Sequence, residues 1–380
     1  MSIYLDNAAT TFPKPPAVYA AVQHAMAEVG ANPGRASHRR AREALAMVSD
    51  TRRRTAEILG IPDPDRVAFT KSATESINVV LKGWLRPGDK VLTSGLEHNS
   101  VVRPLARLET LGVRTEIIPC SRRGELDLEG FARALEGGLR LVVLTHASNV
   151  NGALLPIPRI ARMCRESGVP LFLDAAQTAG VQPISAGEWD LGMLACSGHK
   201  GLLGPAGVGV LYVREDLDVL PLVEGGTGSR SEDPRQPGFC PDRYESGTLN
   251  FPGIAGLGAG IRYLLEEGLE TVLNHELKLA AEIEDGLSEL NGVEVLRPSV
   301  RGTGVVSFTV EGMSPDEVAF LLDKAFDIAV RSGLHCAPQA HRTLGTFPSG
   351  TVRVSPGHMN TPEQIDSFLR SVHTILQHRR

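Results

Sequence analysis

Two short motifs carry residues whose types and spacing could do covalent amine chemistry. Lys200 lies between glycines in Gly198-His199-Lys200-Gly201, and Asp174 follows the apolar run 169–173. A lysine can form a Schiff base with an aldehyde, and a buried acid can keep a pyridine nitrogen protonated so that the ring withdraws electrons. The pair therefore indicates a pyridoxal phosphate (PLP) site. Taken alone, the lysine motif would also fit a surface lysine in a flexible loop, with the aspartate capping a helix.

A third motif, Tyr4-Leu5-Asp6-Asn7-Ala8-Ala9-Thr10, lies near the N-terminus. With it, almost the whole chain resembles the fold-type I PLP enzymes of the class V aminotransferase superfamily. Within that superfamily the similarity is nearest to the cysteine desulfurases and selenocysteine lyases, in particular to the Suf-type (group II) branch. The resemblance implies PLP as the cofactor and an α/β fold. A large domain would carry a doubly wound, mainly parallel sheet, and a smaller C-terminal domain would be α+β.

The segment Thr70–Ser76 follows a predicted strand and opens a predicted helix. The backbone amides and the helix dipole at such a junction attract an anion, although a capped helix start without a ligand has the same pattern. The resemblance assigns the cofactor phosphate to the backbone of Ala73 and to Thr74. Because relatives often carry a hydroxyl residue at the position of Ala73, we expect Ser197 and His199 to hold part of the phosphate.

Three polar residues follow other predicted strands and receive roles from the same resemblance. His98 would stack on the pyridine ring and transfer protons, for which a planar imidazole that titrates near neutrality is suited. Asn149 would orient the substrate and the cofactor, and Gln177 would hydrogen-bond the ring oxygen beside the Schiff base. Judged from the residues alone, a single histidine is more often structural than catalytic, and Asn149 would be a turn residue.

The segment Tyr244–Asn250 predicts a second copy of the chain. In fold-type I dimers the matching segment reaches across the subunit interface, where its threonine contacts the cofactor phosphate of the partner. The resemblance therefore gives Thr248 this role and implies a homodimer with shared sites. The alternative is a surface turn ahead of the next helix.

Cys336 lies in a predicted loop with Arg331 and His335 close by in sequence. Free cysteines are usually small buried hydrophobic residues, but neighbouring cations favour the reactive thiolate. In the group II desulfurases this position holds the cysteine that attacks the substrate sulfur. Arg353, on the following predicted strand, matches the arginine that binds the substrate carboxylate through a bidentate contact. Arg331 is assigned to the same substrate.

Composition excludes several classes of protein. The net charge of −5 gives no basic excess for nucleic acid or an anionic membrane. Apolar runs stay short of the ~20 residues of a membrane span. The N-terminus has no basic start followed by an apolar core, so we expect no secretion and a cytoplasmic location. The five cysteines lack Cys-x-x-Cys spacing, which argues against a disulfide framework and a metal site.

Strands that alternate with helices predict crossover connections and a parallel sheet, with ligands beyond the carboxyl ends of its strands. Helical spacing of apolar residues predicts helices over 16–29, 38–59 and 253–291. Glu224–Asn250 is predicted to be a long excursion, that is, a loop with a functional role. The small domain is predicted to have strands at 303–310, 328–332 and 351–355 and helices at 314–326 and 361–377. The large domain would span 16–255, and the small domain 1–15 and 256–380. The predicted strands of the large sheet are 66–70, 90–94, 113–118, 140–145, 169–173 and 208–213.

These assignments imply a desulfurase that converts L-cysteine to L-alanine and leaves a persulfide on Cys336. A partner protein or a small thiol would then accept the sulfur. L-Selenocysteine is an alternative substrate, because a C–Se bond breaks more readily. Two other hypotheses remain, namely a different class V PLP reaction (an aminotransferase or a cysteine-independent C–S lyase) and a scaffold that keeps the fold for protein interaction.

Overall fold

The computed structural model describes residues 2–34 and 37–378. Three sheets contain all of the named strands in these residues. In chain order the strands are β1 (Ile3–Tyr4), β2 (Val67–Thr70), β3 (Lys90–Ser94), β4 (Arg114–Ile118), β5 (Leu141–Thr145), β6 (Leu171–Asp174), β7 (Met193–Ser197), β8 (Gly209–Val213), β9 (Val293–Val295), β10 (Val306–Val310), β11 (Ile328–Ala329), β12 (Arg331–Gly333) and β13 (Thr351–Val354).

Helices separate most of these strands. Two of them end where the sequence predicts, since Gly30 and Gly60 adopt the left-handed conformation that stops a helix. In chain order the helices are α1 (Pro16–His24, continued by a π-helical turn over Ala25–Val29), α2 (Arg39–Leu59), α3 (Ala73–Trp84), α4 (Asn99–Glu109), α5 (Leu128–Leu135), α6 (Ile157–Glu166), α7 (Phe251–Glu267), α8 (Leu269–Ser288), α9 (Pro315–Phe326), α10 (Pro338–Leu344) and α11 (Pro362–His378).

The large sheet has the strand order β2-β8-β7-β6-β5-β3-β4. Only β8 runs against its neighbours within this sheet, so the prediction of a mainly parallel sheet is confirmed. Neighbouring residues along a strand enter different cores, as Phe172 and Leu173 of β6 do. Both faces are therefore covered, which explains the continuous apolar runs in the sequence. The carboxyl ends of β2, β3, β5, β6 and β7 meet at one edge.

The sequence does not predict β7, although this strand leads into the lysine motif. Ala195, Cys196 and Ser197 make up most of it, and such small residues carry little β-propensity. Pairing with β6 and β8, between which β7 is buried, stabilises the strand in spite of its low β-propensity. The lysine loop thus begins at a central strand of the sheet.

The C-terminal part forms a separate antiparallel sheet of order β12-β13-β10-β9, while β11 pairs with β1 of the N-terminal arm. One predicted strand, 328–332, is therefore two strands that belong to different sheets. The helix predicted over 253–291 breaks at Gly268, whose φ of 84° lies in the left-handed region. The predicted excursion Glu224–Asn250 falls between β8 and α7. The domain boundaries stay a prediction. No helix of the described residues is long and apolar enough to span a membrane.

Candidate active site

The loop that carries Lys200 is held by the N-terminal arm. The Thr11 hydroxyl donates to the Lys200 carbonyl (2.9 Å), and the Thr11 amide donates to the His199 carbonyl (3.1 Å). On the other side, a Cβ added at Gly201 would lie only 2.5 Å from the Ala179 carbonyl oxygen. Glycine is therefore required there, and the lysine is fixed by contacts that span the chain.

Lys200 and Asp174 lie close enough to influence each other's charge. Burial lowers the pKa of Lys200 to about 8, against the attraction of the Asp174 carboxylate. Burial raises the pKa of Asp174, which ends β6 and accepts a hydrogen bond from the Ala176 amide (2.9 Å). A protonated ring nitrogen beside Asp174 would offset the cost of burying this carboxylate. An amine that is readily deprotonated can form a Schiff base with the PLP aldehyde. An acid that needs a cationic partner can pair with the protonated ring nitrogen, so both residues fit PLP.

His98 lies at the start of α4 and is its N-cap. Its Nδ1 accepts a hydrogen bond from the Ser100 amide (3.0 Å), so the hydrogen of the neutral ring lies on Nε2. Burial, followed by the nearby Lys200, lowers the pKa of His98 to about 4. The imidazole is therefore neutral at physiological pH and presents an N–H donor.

The residues proposed for the phosphate lie at the start of α3 and at or just after the end of β7. Ser72 caps this helix by accepting from the Glu75 amide (3.2 Å), and Ala73 and Thr74 follow in its first turn. Ser197 lies buried at the end of β7. His199 has a buried Nδ1 with no partner among the described residues. An unpaired buried nitrogen is costly, and a phosphate oxygen would satisfy it, so this group also fits PLP.

Gln177 and Asn149 both make contacts that the sequence does not predict. The Gln177 amide nitrogen donates to the Ala8 carbonyl of the N-terminal arm (3.2 Å). Asn149 donates through Nδ2 to the His335 carbonyl (2.8 Å), and its own carbonyl accepts from Arg353 (3.1 Å). Asn149 therefore connects the cysteine segment to the predicted substrate arginine.

Arg353 is almost fully buried, with 2% of its surface exposed. Its Nη2 forms an ion pair with Asp6 Oδ1 at 2.8 Å. Its Nε has no hydrogen-bond partner within the described chain. Burial lowers the pKa of Arg353 even though the Asp6 carboxylate opposes this shift. A second carboxylate that accepted a hydrogen bond from the free Nε would therefore stabilise the charged guanidinium. The sequence gives one signal for the ion pair, namely the aspartate in the N-terminal motif, but assigns it no role.

Cys336 is exposed, and its backbone is strained. His335 and Cys336 have φ angles of 48° and 57°, a conformation that side chains other than glycine adopt at a cost. Two hydrogen bonds from the large domain reach the carbonyls of this turn, one from Asn149 to His335 and one from the Asn99 amide to Cys336 (2.8 Å). Arg331 Nη2 lies 3.9 Å from the Cys336 sulfur. The turn thus presents the thiol beside a cation.

The prediction that His335 is a second cation beside this thiol is wrong. His335 is buried with its Nε2 2.9 Å from the Thr351 hydroxyl oxygen, and burial lowers its pKa to about 2. The ring is therefore neutral and supports the turn as a structural residue. Of the two neighbours predicted to carry charge, only Arg331 does.

Thr248 is not brought together with the other site residues within one chain. It is exposed and lines a separate cavity with Leu222 and Val223, whereas His98 and Cys336 line another. Its predicted contact with a cofactor phosphate requires a second copy of the chain and stays a prediction.

Glu97 is a buried acid that the sequence reasoning passed over. Its carboxylate accepts from the Ser94 hydroxyl (2.6 Å) and from the Thr145 amide (3.0 Å), so it joins the ends of β3 and β5. Burial raises its pKa to about 8, and the charge of Asp174 adds to this shift. Its position directly before His98 was the available signal, but burial cannot be read from one acidic residue.

Comparison with known proteins places this arrangement in a family. The aminotransferase class V model matches residues 3–368. A probable cysteine desulfurase of Methanothermobacter thermautotrophicus is 34% identical over 96% of this chain and 92% of its own. A probable cysteine desulfurase of Pyrococcus abyssi is 35% identical over 100% of this chain and 95% of its own. The solved apo cysteine desulfurase of Thermococcus onnurineus superposes with a TM-score of 0.91 at 36% identity, covering 99% and 95% of the two chains.

The family match, these identities and the residues that fit the cofactor agree. The chain belongs to the aminotransferase class V family, whose members depend on pyridoxal phosphate.

Proposed function

We propose that this protein is a PLP-dependent cysteine desulfurase that converts L-cysteine to L-alanine and receives the sulfur as a persulfide on Cys336. The observation that carries the proposal is the position of this thiol. Cys336 is exposed in a strained turn, lies 3.9 Å from Arg331, and lines one cavity with His98 and Thr74. The names of the relatives agree with this chemistry.

Substrate binding would rest on two arginines that are directly paired across β12 and β13, Arg331 and Arg353. The unpaired Nε of Arg353 offers a hydrogen bond to the substrate carboxylate. Asn149, whose carbonyl fixes Arg353, would orient the same substrate. The carboxylate would then lie near Cys336, since Arg331 reaches both groups.

PLP, when bound, supplies an aldehyde that condenses with amines and a ring that withdraws electrons. Lys200 would provide the amine at rest, and its Nζ would afterwards take the proton from the substrate α-carbon. Asp174 would keep the ring nitrogen protonated, and Gln177 would hold the ring oxygen. Neutral His98 would stack on the ring and donate its Nε2 hydrogen. The phosphate would lie on Ala73, Thr74, Ser197 and His199.

The Cys336 thiolate would attack the substrate sulfur. A new S–S bond forms as the C–S bond breaks, the electron pair stays with the carbon fragment, and that fragment takes up a proton and leaves as alanine. The thiolate is needed only because the sulfur leaves as a persulfide. This separates the reaction from an aminotransferase or a cysteine-independent lyase.

Three further assignments belong to this proposal. The protein acts as a homodimer in which Thr248 binds the cofactor phosphate of the partner subunit. Residues 16–255 form the large domain, and 1–15 with 256–380 the small one. The enzyme works in the cytoplasm, in keeping with five free cysteines.

The test compares the protein with a Cys336→Ala variant on L-cysteine and on L-selenocysteine. We expect alanine from L-cysteine to be lost in the variant, while L-selenocysteine turnover falls less because selenium leaves more readily. Alanine formation from L-cysteine at the wild-type rate in the variant would reject the desulfurase mechanism.

A further inference from the structure

A groove extends from Cys336 between α3 and α4, two helices that follow strands of the large sheet. It is a cavity of about 400 Å³ with Cys336 and His98 in its lining. One wall is α3, which contributes Thr74, Asn78 and Lys82 at intervals of four residues. Residues at this spacing share one face of a helix. A row of polar side chains therefore leads outward from the thiol.

The other wall is α4, whose Arg103 and Arg107 also lie four residues apart and line the same cavity. Lys82 and both arginines are exposed. Across residues 2–34 and 37–378, no carboxylate lies within ion-pair distance of any of the three. In a chain with a net charge of −5, three uncompensated cations around one cavity are a local reversal of sign. Such a surface raises the local concentration of anions.

The proposed reaction leaves a persulfide on Cys336, and its terminal sulfur must be transferred to an acceptor before the next turnover. An acceptor thiolate would attack the terminal sulfur of the Cys336 persulfide. The new S–S bond forms as the old one breaks, the electron pair returns to the Cys336 sulfur, and the proton remains on the transferred sulfur. No oxidant or reductant is consumed, so the step requires only a thiol that reaches the end of this groove.

We propose that the groove formed by Lys82, Arg103 and Arg107 is the acceptor site and that it binds a small acidic thiol, one that carries a carboxylate or sulfonate besides its sulfur. The inference rests on the proposed function and names its second substrate. The charge follows from the three cations. The size follows from the cavity, whose 400 Å³ also borders Thr74 and His98 on the cofactor side, so the space beside the three cations suits a small molecule and not a folded partner.

The first experiment tests the groove without turnover. Cys336 in the holoenzyme is alkylated with iodoacetate, an anion, and with iodoacetamide, its neutral counterpart, and both rates are followed by mass spectrometry of the Cys336 peptide. The ratio of the two rates cancels differences in thiol reactivity. In the double variant Lys82→Glu/Arg107→Glu this ratio should fall about tenfold at low salt, and less in 0.15 M salt, where charges are screened. Arg103 is left in place because its charge reaches His98.

The matched control is Arg159→Glu/Arg162→Glu, which reverses two exposed arginines of α6 outside the groove lining. Its ratio should stay within about twofold of the wild-type ratio. A ratio that does not fall in the groove variant, or that falls equally in the control, overturns the proposal.

The second experiment measures multiple turnover of L-cysteine with 2-mercaptoethanesulfonate or neutral 2-mercaptoethanol as acceptor. In the groove variant kcat/KM for the sulfonate should fall about tenfold, with that for the neutral thiol within about twofold, and alanine from a single turnover unchanged. Equal losses for both thiols overturn the acceptor site. A wild-type enzyme that makes no alanine from L-cysteine overturns the proposed function, and with it the acceptor role, even where alkylation shows that the groove attracts anions.

Discussion

The two halves of the candidate site are held in place by different means. Asp174 ends one central strand of a seven-stranded sheet that is covered on both faces, and Lys200 follows the next. Cys336 follows a three-residue strand, β12, at the edge of a four-stranded sheet, and its turn is held by hydrogen bonds to two backbone carbonyls. The first half is positioned by the core and the second by a few polar contacts.

The difference in support matches the difference in chemistry between proton transfer and sulfur transfer. An amine and an acid that handle protons need fixed positions, which buried parallel strands provide at their carboxyl ends. A thiol that takes sulfur from one molecule and passes it to another has to be reached from solvent, as exposed Cys336 is. Loss of Lys200 or Asp174 should therefore stop all chemistry, whereas loss of the Cys336 thiol should stop sulfur transfer alone.

The largest effect is expected for Lys200→Ala. Without this amine no proton leaves the substrate α-carbon, so alanine formation should fall by about 10⁴-fold. Alkylation of Cys336 by iodoacetamide should remain within about threefold of the wild-type rate, since the turn is held independently. A parallel collapse of both readouts would show that the two halves are not separate.

Arg353→Ala should have the next largest effect. It removes a charge-assisted contact to the substrate carboxylate, worth about 1.5–3 kcal/mol, so kcat/KM should fall about 10–150-fold for L-cysteine and L-selenocysteine alike. The shared loss separates this change from Cys336→Ala, which should affect L-cysteine more. Unequal losses for the two substrates in Arg353→Ala would remove the arginine from carboxylate binding.

The reactivity of Lys200 in the protein freed of cofactor should depend on pH near neutrality. Its pKa is lowered to about 8, so the neutral amine dominates above pH 8 and is lost below it. Labelling of the Lys200 peptide by acetic anhydride should fall about tenfold for each pH unit between 7.5 and 5.5. A labelling midpoint near the ordinary lysine value of about 10.4 would contradict the burial of this amine.

The smallest effect is expected for Thr351→Val, which removes the hydroxyl beside His335 and leaves the shape of the side chain. The same hydroxyl also donates to the Ser307 hydroxyl (3.2 Å), so the change removes two buried hydrogen bonds and should cost about 1–3 kcal/mol of unfolding free energy. Loss of the contact with His335 should also change the rate of Cys336 alkylation. Thr115→Val is the matched control, because the Thr115 hydroxyl has no partner among the described residues. A rate of Cys336 alkylation that stays at the wild-type value in Thr351→Val would deny His335 its supporting role.

The sequence predicts the sheet half well, for physical reasons. Apolar runs buried on both faces are visible as strands, and a parallel sheet places its ligands at strand ends, so the strand that ends in Asp174 can be located without coordinates. The role predicted for His98 rests on the family resemblance. Strand β7 is not predicted because its small residues have little β-propensity and are held in the sheet by the neighbouring strands.

The cysteine half shows the limit of sequence reasoning. Arg331 and Cys336 are five residues apart in sequence and lie close together in space. The charge of His335, in contrast, depends on burial that no local pattern reveals. The ion pair between Asp6 and Arg353 joins opposite ends of the chain. Long-range contacts of this kind require the fold.

The most direct test of the account is the mass of the Cys336 peptide after one turnover with L-cysteine and no added thiol. The account predicts the mass of one sulfur atom added to that peptide, one alanine formed per sulfur, and no addition on the peptides of Cys120, Cys164, Cys196 or Cys240. Alanine formed with no sulfur on Cys336, or sulfur on another cysteine, would contradict it.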